Sequence, residues 1–124
     1  MLSLYYKNSM IDLSYFIQLS NNKTSFLIRV MGVFINETPK DLAELEKNYR
    51  ETNHKKVKEI CHKLKGLFKS YNMAELTKLT LALEENAKAE HFSNETTELL
   101  DSILKTYSDL RIEMIELSKK YSAL

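Results

Sequence analysis

The chain is poor in the residues that end secondary structure and in those that staple small folds. It has two glycines, one proline, one cysteine and no tryptophan in 124 residues. So few Gly and Pro leave little material for turns and point to an almost wholly helical chain. The single cysteine, Cys61, excludes an intramolecular disulfide framework and a cysteine-based zinc site. An excess of charge of one sign is also missing. Lys+Arg is 18 and Asp+Glu is 17, whereas a chain built to coat nucleic acid or a membrane surface is normally more basic. Long apolar runs are absent. The most apolar stretch, from Phe26 to Ile35, is interrupted by Arg29 and is too short to span a bilayer. Met1 to Lys7 lacks the basic and sustained apolar regions of a signal peptide. The expectation is a cytoplasmic protein with neither a nucleic-acid nor a membrane partner, most simply a monomer.

What is present is 44% apolar and 28% charged, the balance of a folded domain. The length suits one domain, taken as residues 1–124, that buries a real core without staples. Apolar spacing predicts a short N-terminal helix over about 11–19. Bundle helices follow over about 23–36, 39–50, 54–71, 73–89 and 95–121, the first two forming an entry hairpin. Asp12 or Ser14 is a candidate cap for the first, and Asn21-Asn22 breaks it. Thr38-Pro39-Lys40-Asp41 reads as a helix start, with Thr38 as N-cap and Pro39 at the first helical position. Asn72 suits a left-handed helix end. The fold class is therefore all-α, an antiparallel up-down four-helix bundle with an additional short N-terminal helix.

The segment 54–71 carries the chemistry. Val57, Ile60, Cys61, Leu64, Leu67, Phe68 and Tyr71 recur every three or four residues and define a buried face. At roughly 100° per residue, His62 points about 160° from that face. Lys55, Lys58, Lys65, Gly66 and Lys69 share its side of the helix. A mid-helix glycine costs about 1 kcal/mol relative to alanine. Beside an exposed imidazole it removes the side chain that would crowd the ring. The chemistry that fits is attack by neutral imidazole on a phosphoryl group. The lysines disfavour protonation of the ring by like-charge repulsion and offer positive charge to phosphoryl oxygens.

Other readings of these residues are weaker. Glu-x-x-His occurs twice, at Glu51/His54 and Glu59/His62, but both lie close together and His62 faces outward, unlike the inward pairs of di-metal bundles. His54 and His91 read as solvated, and Cys61 as a buried, inert thiol. No glycine-rich phosphate loop or nucleophile elbow is present, so ATP-dependent kinase activity is not expected. A helical adaptor that binds a receiver or kinase without being phosphorylated is the alternative. Ile28 and Ile35, off the main stripe, could form its docking patch or pack under the 11–19 helix.

His62-Lys63-Leu64-Lys65-Gly66 resembles the H-x-L-K-G signature of histidine-containing phosphotransfer (HPt) domains. Asp12-Leu13-Ser14-Tyr15-Phe16 with Leu19-Ser20, then Phe26, Phe34, Glu37-Thr38-Pro39, Leu76, Leu79 and Leu83-Glu84, are similar to the family's flanking pattern. The similarity covers roughly 11–89, and the last helix adds only a compatible amphipathic stripe. The resemblance implies a phosphorelay intermediate in two-component signal transduction. His62 would accept a phosphoryl group from a receiver-domain aspartate and pass it to another. Lys65 would stabilise phosphoryl charge and Gly66 would give access, with Lys69, Lys58 and Glu84 in support. The implied partners are response-regulator receiver domains and a hybrid histidine kinase. The chain itself would bind no cofactor or metal, and Mg²⁺ would belong to the receiver. Two departures stand out. Leu67 and Phe68 replace the small residues common after the glycine, and Asn72 replaces a common glycine.

Overall fold

The computed structural model describes residues 11–124. The opening stretch weighed against a signal peptide lies outside the described residues. Those described are all-helical, without a strand. The order is α1 (Ser14–Ser20), α2 (Thr24–Gly32), a π-helical turn (Val33–Glu37), α3 (Thr38–Arg50), α4 (His54–Ser70), α5 (Ala74–Lys88) and α6 (Asn94–Ser122). No helix among them is long and apolar enough to cross a membrane.

The turns are made without glycine. Asn21, Asn22, Thr52, Asn72 and Glu90 all have positive φ. Asparagine tolerates this region best, and a β-branched threonine at φ 55° is unusual. The starts of α1, α4 and α6 carry side-chain hydrogen bonds. The Asp12 carboxylate accepts from the Ser14 amide at 2.9 Å, Asn53 accepts from Lys56, and Ser93 with Thr96 forms a capping box.

One expectation fails. Thr38 is not an N-cap and the 23–36 and 39–50 segments do not form a hairpin. The backbone stays helical from Gly32 through Thr38, and Thr38 is fully buried. The chain runs on from α2 to α3 through the π turn. The physical reason lies in two carbonyls. The Thr38 amide reaches back five residues, to Val33, so it does not serve Phe34. Pro39 has no N–H to offer Ile35, four residues before it. Other elements supply the missing donors. Tyr107 Oη donates to the Phe34 carbonyl and Arg111 Nε to Ile35 at 2.9 Å, while Tyr71 Oη adds a further donor, at 2.5 Å, to the Val30 carbonyl that already accepts from the Val33 amide. Burial pushes the Tyr107 phenol up to about 12 against the opposing influence of Arg111, so it stays protonated and donates. The helix-start signal at Thr38-Pro39 thus marks a register change inside one long helical run, held from α4 and α6.

The core sits where these helices meet. Phe34 packs against Tyr71 and Tyr107 with ring centroids 5.1 and 4.8 Å apart. Leu27, Met31, Leu45, Leu64, Leu76, Leu83 and Ile103 are fully buried around it. Leu27, Met31 and Phe34 point inward at helical spacing, while Val33 is exposed. Ile28 and Ile35 are half-buried against the core, which leaves no open patch there. Helices α4 and α5, joined by the turn at Tyr71, Asn72 and Met73, make the most extensive helix pair. Asn72 has φ 57°, as its place at the helix end requires, and its side chain donates to the Asp12 carbonyl at the start of α1.

The carbonyl account predicts a measurable cost. Tyr107→Phe leaves a buried acceptor unpaired and should destabilise the fold by about 1–3 kcal/mol in urea unfolding. Thr38 Oγ1 is itself buried without a hydrogen-bond partner, so Thr38→Val should be neutral or stabilising in the same assay. Equal stability of wild type and Tyr107→Phe would remove the phenol from the account.

Candidate functional site

The site is built on the facing surfaces of α4 and α5. Helix α4 buries Val57, Cys61, Leu64 and Phe68 and so turns His62 outward, with 73% of its side chain exposed. Phe68 packs into the core near Phe34 at 6.4 Å and Leu67 is half-buried beside it. Neither replacement of a small residue lies on the His62 face. Cys61 is fully buried, and burial raises its thiol to about 12, so it is held as an unreactive thiol.

Helix α5 answers with one acidic side chain. Glu84 is buried to 8% side-chain exposure. One carboxylate oxygen, Oε2, lies 3.0 Å from His62 Nδ1; the other, Oε1, lies 2.7 Å from Lys65 Nζ. This one group bridges the two helices at the site. Burial alone raises the Glu84 carboxyl, but hydrogen bonds from Lys65 and His62, with their charges, outweigh it and hold the group below the usual carboxylate range. The ionised carboxylate can only accept, so His62 Nδ1 donates. In the neutral ring the lone pair is then on Nε2, the nitrogen on the ring edge away from Glu84. Lys65 is the better covered of the two donors, with 27% of its side chain exposed.

Around this triad the remaining predicted residues divide. Lys58 shares an open depression of about 420 Å³ with His62 and Glu84, where Glu59 and Lys88 also contribute. Lys69 lies on the far side of the Lys65–Glu84 bridge, in a second hollow with Lys65 and Gly66. Lys55 is exposed nearer the start of α4. Lys88 escaped the sequence reading. Its signal was its place four residues after Glu84, on the same face of α5. Lys63, next to His62, points away from the site and pairs with Asp41 of α3 at 3.1 Å. Gly66 is helical, exposed and has nothing within 4 Å of where a Cβ would stand. Packing within the chain therefore does not require glycine there. Among the described residues no group of His, Cys, Asp and Glu is arranged to hold a metal ion.

The arrangement can orient an imidazole, fix its tautomer, present Nε2 to solvent and keep an ammonium group beside it. Its stability should also depend on pH in one direction. A carboxyl lowered in the folded state contributes fully above the ordinary carboxylate range, and that contribution is lost as pH falls through the lowered value. Wild type should exceed Glu84→Gln in stability at neutral pH, and the gap should close on acidification in urea titrations. A gap independent of pH would mean that the ionised carboxylate is not what ties the helices.

Comparison with known proteins bears on the same segment. The family described as Hpt domain matches residues 29–118. No curated protein and no solved structure gives a significant match. The matched region begins within α2 and runs through most of α6, so it takes in the last helix and omits α1. It spans well over half of the chain, and the chain belongs to the Hpt domain family, whose members act in phosphotransfer within two-component and phosphorelay signalling.

Proposed function

We propose that this chain is a phosphorelay intermediate in which His62 carries the phosphoryl group. The observation that supports this reading is the exposed imidazole held by buried Glu84 through Nδ1, which leaves Nε2 as the nucleophile. The donor is an aspartyl phosphate of a receiver domain. The Nε2–phosphorus bond forms as the bond from phosphorus to the aspartate oxygen breaks, and the aspartate leaves as a carboxylate with the bonding electron pair. The Nδ1 proton stays on the ring, hydrogen-bonded to Glu84, which offsets the positive charge of the phosphorylated ring. Transfer to a second receiver reverses these steps. Lys65, already 2.7 Å from Glu84, lies where it can turn to a phosphoryl oxygen. Lys58 and Lys69 add positive charge at longer range, and Gly66 leaves room for the incoming receiver.

The scaffold we propose is an antiparallel up-down bundle that presents α4 to the partner. Receiver domains and a hybrid histidine kinase are the proposed partners, and Mg²⁺ is proposed to enter with the receiver. Phosphoryl groups reach the chain from such partners and not from ATP.

The test is incubation with a panel of phosphorylated receiver domains and Mg²⁺, read by intact mass. Wild type should gain one acid-labile, base-stable phosphoryl group, and folded His62→Gln should gain none. Labelling of His62→Gln would overturn the assignment. Binding without transfer would replace it with the adaptor reading. Gly66 gives a separable result. Gly66→Ala should stabilise the fold by about 1 kcal/mol, since it relieves a mid-helix glycine, while Gly66→Gln should slow transfer by crowding the ring. Unchanged transfer in Gly66→Gln would remove access as the reason for the glycine.

A further inference from the structure

A hollow larger than the depression at His62 lies beside it on the surface. It measures about 590 Å³ and lies along the α4–α5 seam, on the other side of the Lys65–Glu84 bridge. Met73, Ala74 and Leu81 give it an apolar floor, and Lys65, Lys69 and Lys78 border it. No acidic side chain lines it. Leu81 is 42% exposed, one of few large apolar side chains left open to water. Lys78 is also exposed, one turn before Leu81 on α5, and takes part in no ion pair of the site. Gly66 joins this hollow to the face of α4 that carries His62.

An apolar floor inside a border of like charges selects its occupant. A basic or purely apolar surface would leave the lysines facing repulsion or desolvation without a partner. A surface with an apolar side chain flanked by carboxylates satisfies both parts. We infer that Lys78 and Leu81 form a specificity surface for the receiver, which seats an apolar residue on Leu81 and carboxylates against Lys78 and its neighbours. This rests on the phosphorelay reading and adds to it. The chemistry is on α4 and the choice of partner is on α5. Among the described residues, neither Lys78 nor Leu81 shares a hydrogen bond or ion pair with His62 or Glu84, so partner choice and chemistry are separable.

The experiment compares two donors for the same chain. Phosphoramidate is a small phosphoryl donor that needs no docking surface; the other donor is a phosphorylated receiver from the panel above. Lys78→Glu and Leu81→Asp should each lower the second-order rate with the receiver about tenfold, while phosphoramidate labelling of His62 stays within about twofold of wild type. Lys78→Arg and Leu81→Met should restore receiver transfer. Added salt should slow the wild type more than Lys78→Glu. Receiver transfer unchanged in both variants would overturn the inference and leave the relay reading standing. An equal loss with both donors would also overturn it, because the effect would then lie in the site or the fold. Failure of every receiver to label the wild type would overturn the relay reading and this inference with it.

Discussion

A buried carboxylate ties the two helices that carry the site. Glu84 has little access to water, and an ionised group in that position is costly unless it is fully paired. Lys65 and His62 each take one of its oxygens. That requirement fixes the rotation of α5 against α4 and the distance between them. It also fixes the imidazole, whose exposed position would otherwise leave the ring free to turn. One interaction thus serves packing and chemistry together. The carboxylate needs donors to remain buried, and one of those donors gains a defined tautomer by supplying the bond.

The turn between α4 and α5 works in the same direction. Asn72 adopts the left-handed conformation, and its side chain reaches the start of α1. Tyr71, just before it, sends its hydroxyl to Val30 and its ring against Phe16 and Phe34. The end of α4 is therefore anchored to α1 and to the long α2–α3 run at once. Tyr107 and Arg111 repeat the arrangement from α6. The carbonyls released by the π turn and by Pro39 serve as sockets for side chains from α6. A defect in one helix becomes a set of directional contacts that position the others. Hydrogen bonds of this kind add little net stability each, but an unmade one is expensive, so they restrict the packings open to an otherwise apolar core.

Much of this was legible from residue spacing. The outward direction of His62 followed from the apolar stripe of α4, because seven inward residues leave only one free side. Asn21-Asn22 and Asn72 were readable as turns because few other residues tolerate positive φ. Thr38-Pro39 misled for a physical reason. A threonine before a proline satisfies the local requirements of a helix start, and it equally satisfies a π turn whose lost hydrogen bonds are replaced from far along the chain. Tyr107 and Arg111 are 73 and 76 residues from their acceptors, and no local pattern records such a pairing. Glu84 came into view only through the family resemblance, since a single acid among the polar positions of α5 carries no mark of being buried. Leu81 and Lys78 carry no local mark of a shared hollow, which exists only where α4 lies beside α5.

The division of labour proposed for the α4–α5 seam has a physical basis. Groups that react must be held within narrow limits, and buried Glu84 holds His62 and Lys65 to such limits. Groups that select a partner need exposure, charge and room. The second hollow has these, and it is separated from the imidazole by the Lys65–Glu84 bridge. Substitutions at Lys78 or Leu81 change what the surface attracts without changing the number of donors that Glu84 requires. Substitutions at Lys65 do both, because its ammonium group belongs to the bridge and also borders the hollow. On the proposed reading, partner preference can therefore vary at the α5 border at little cost to chemistry, whereas the bridge itself is constrained from both sides.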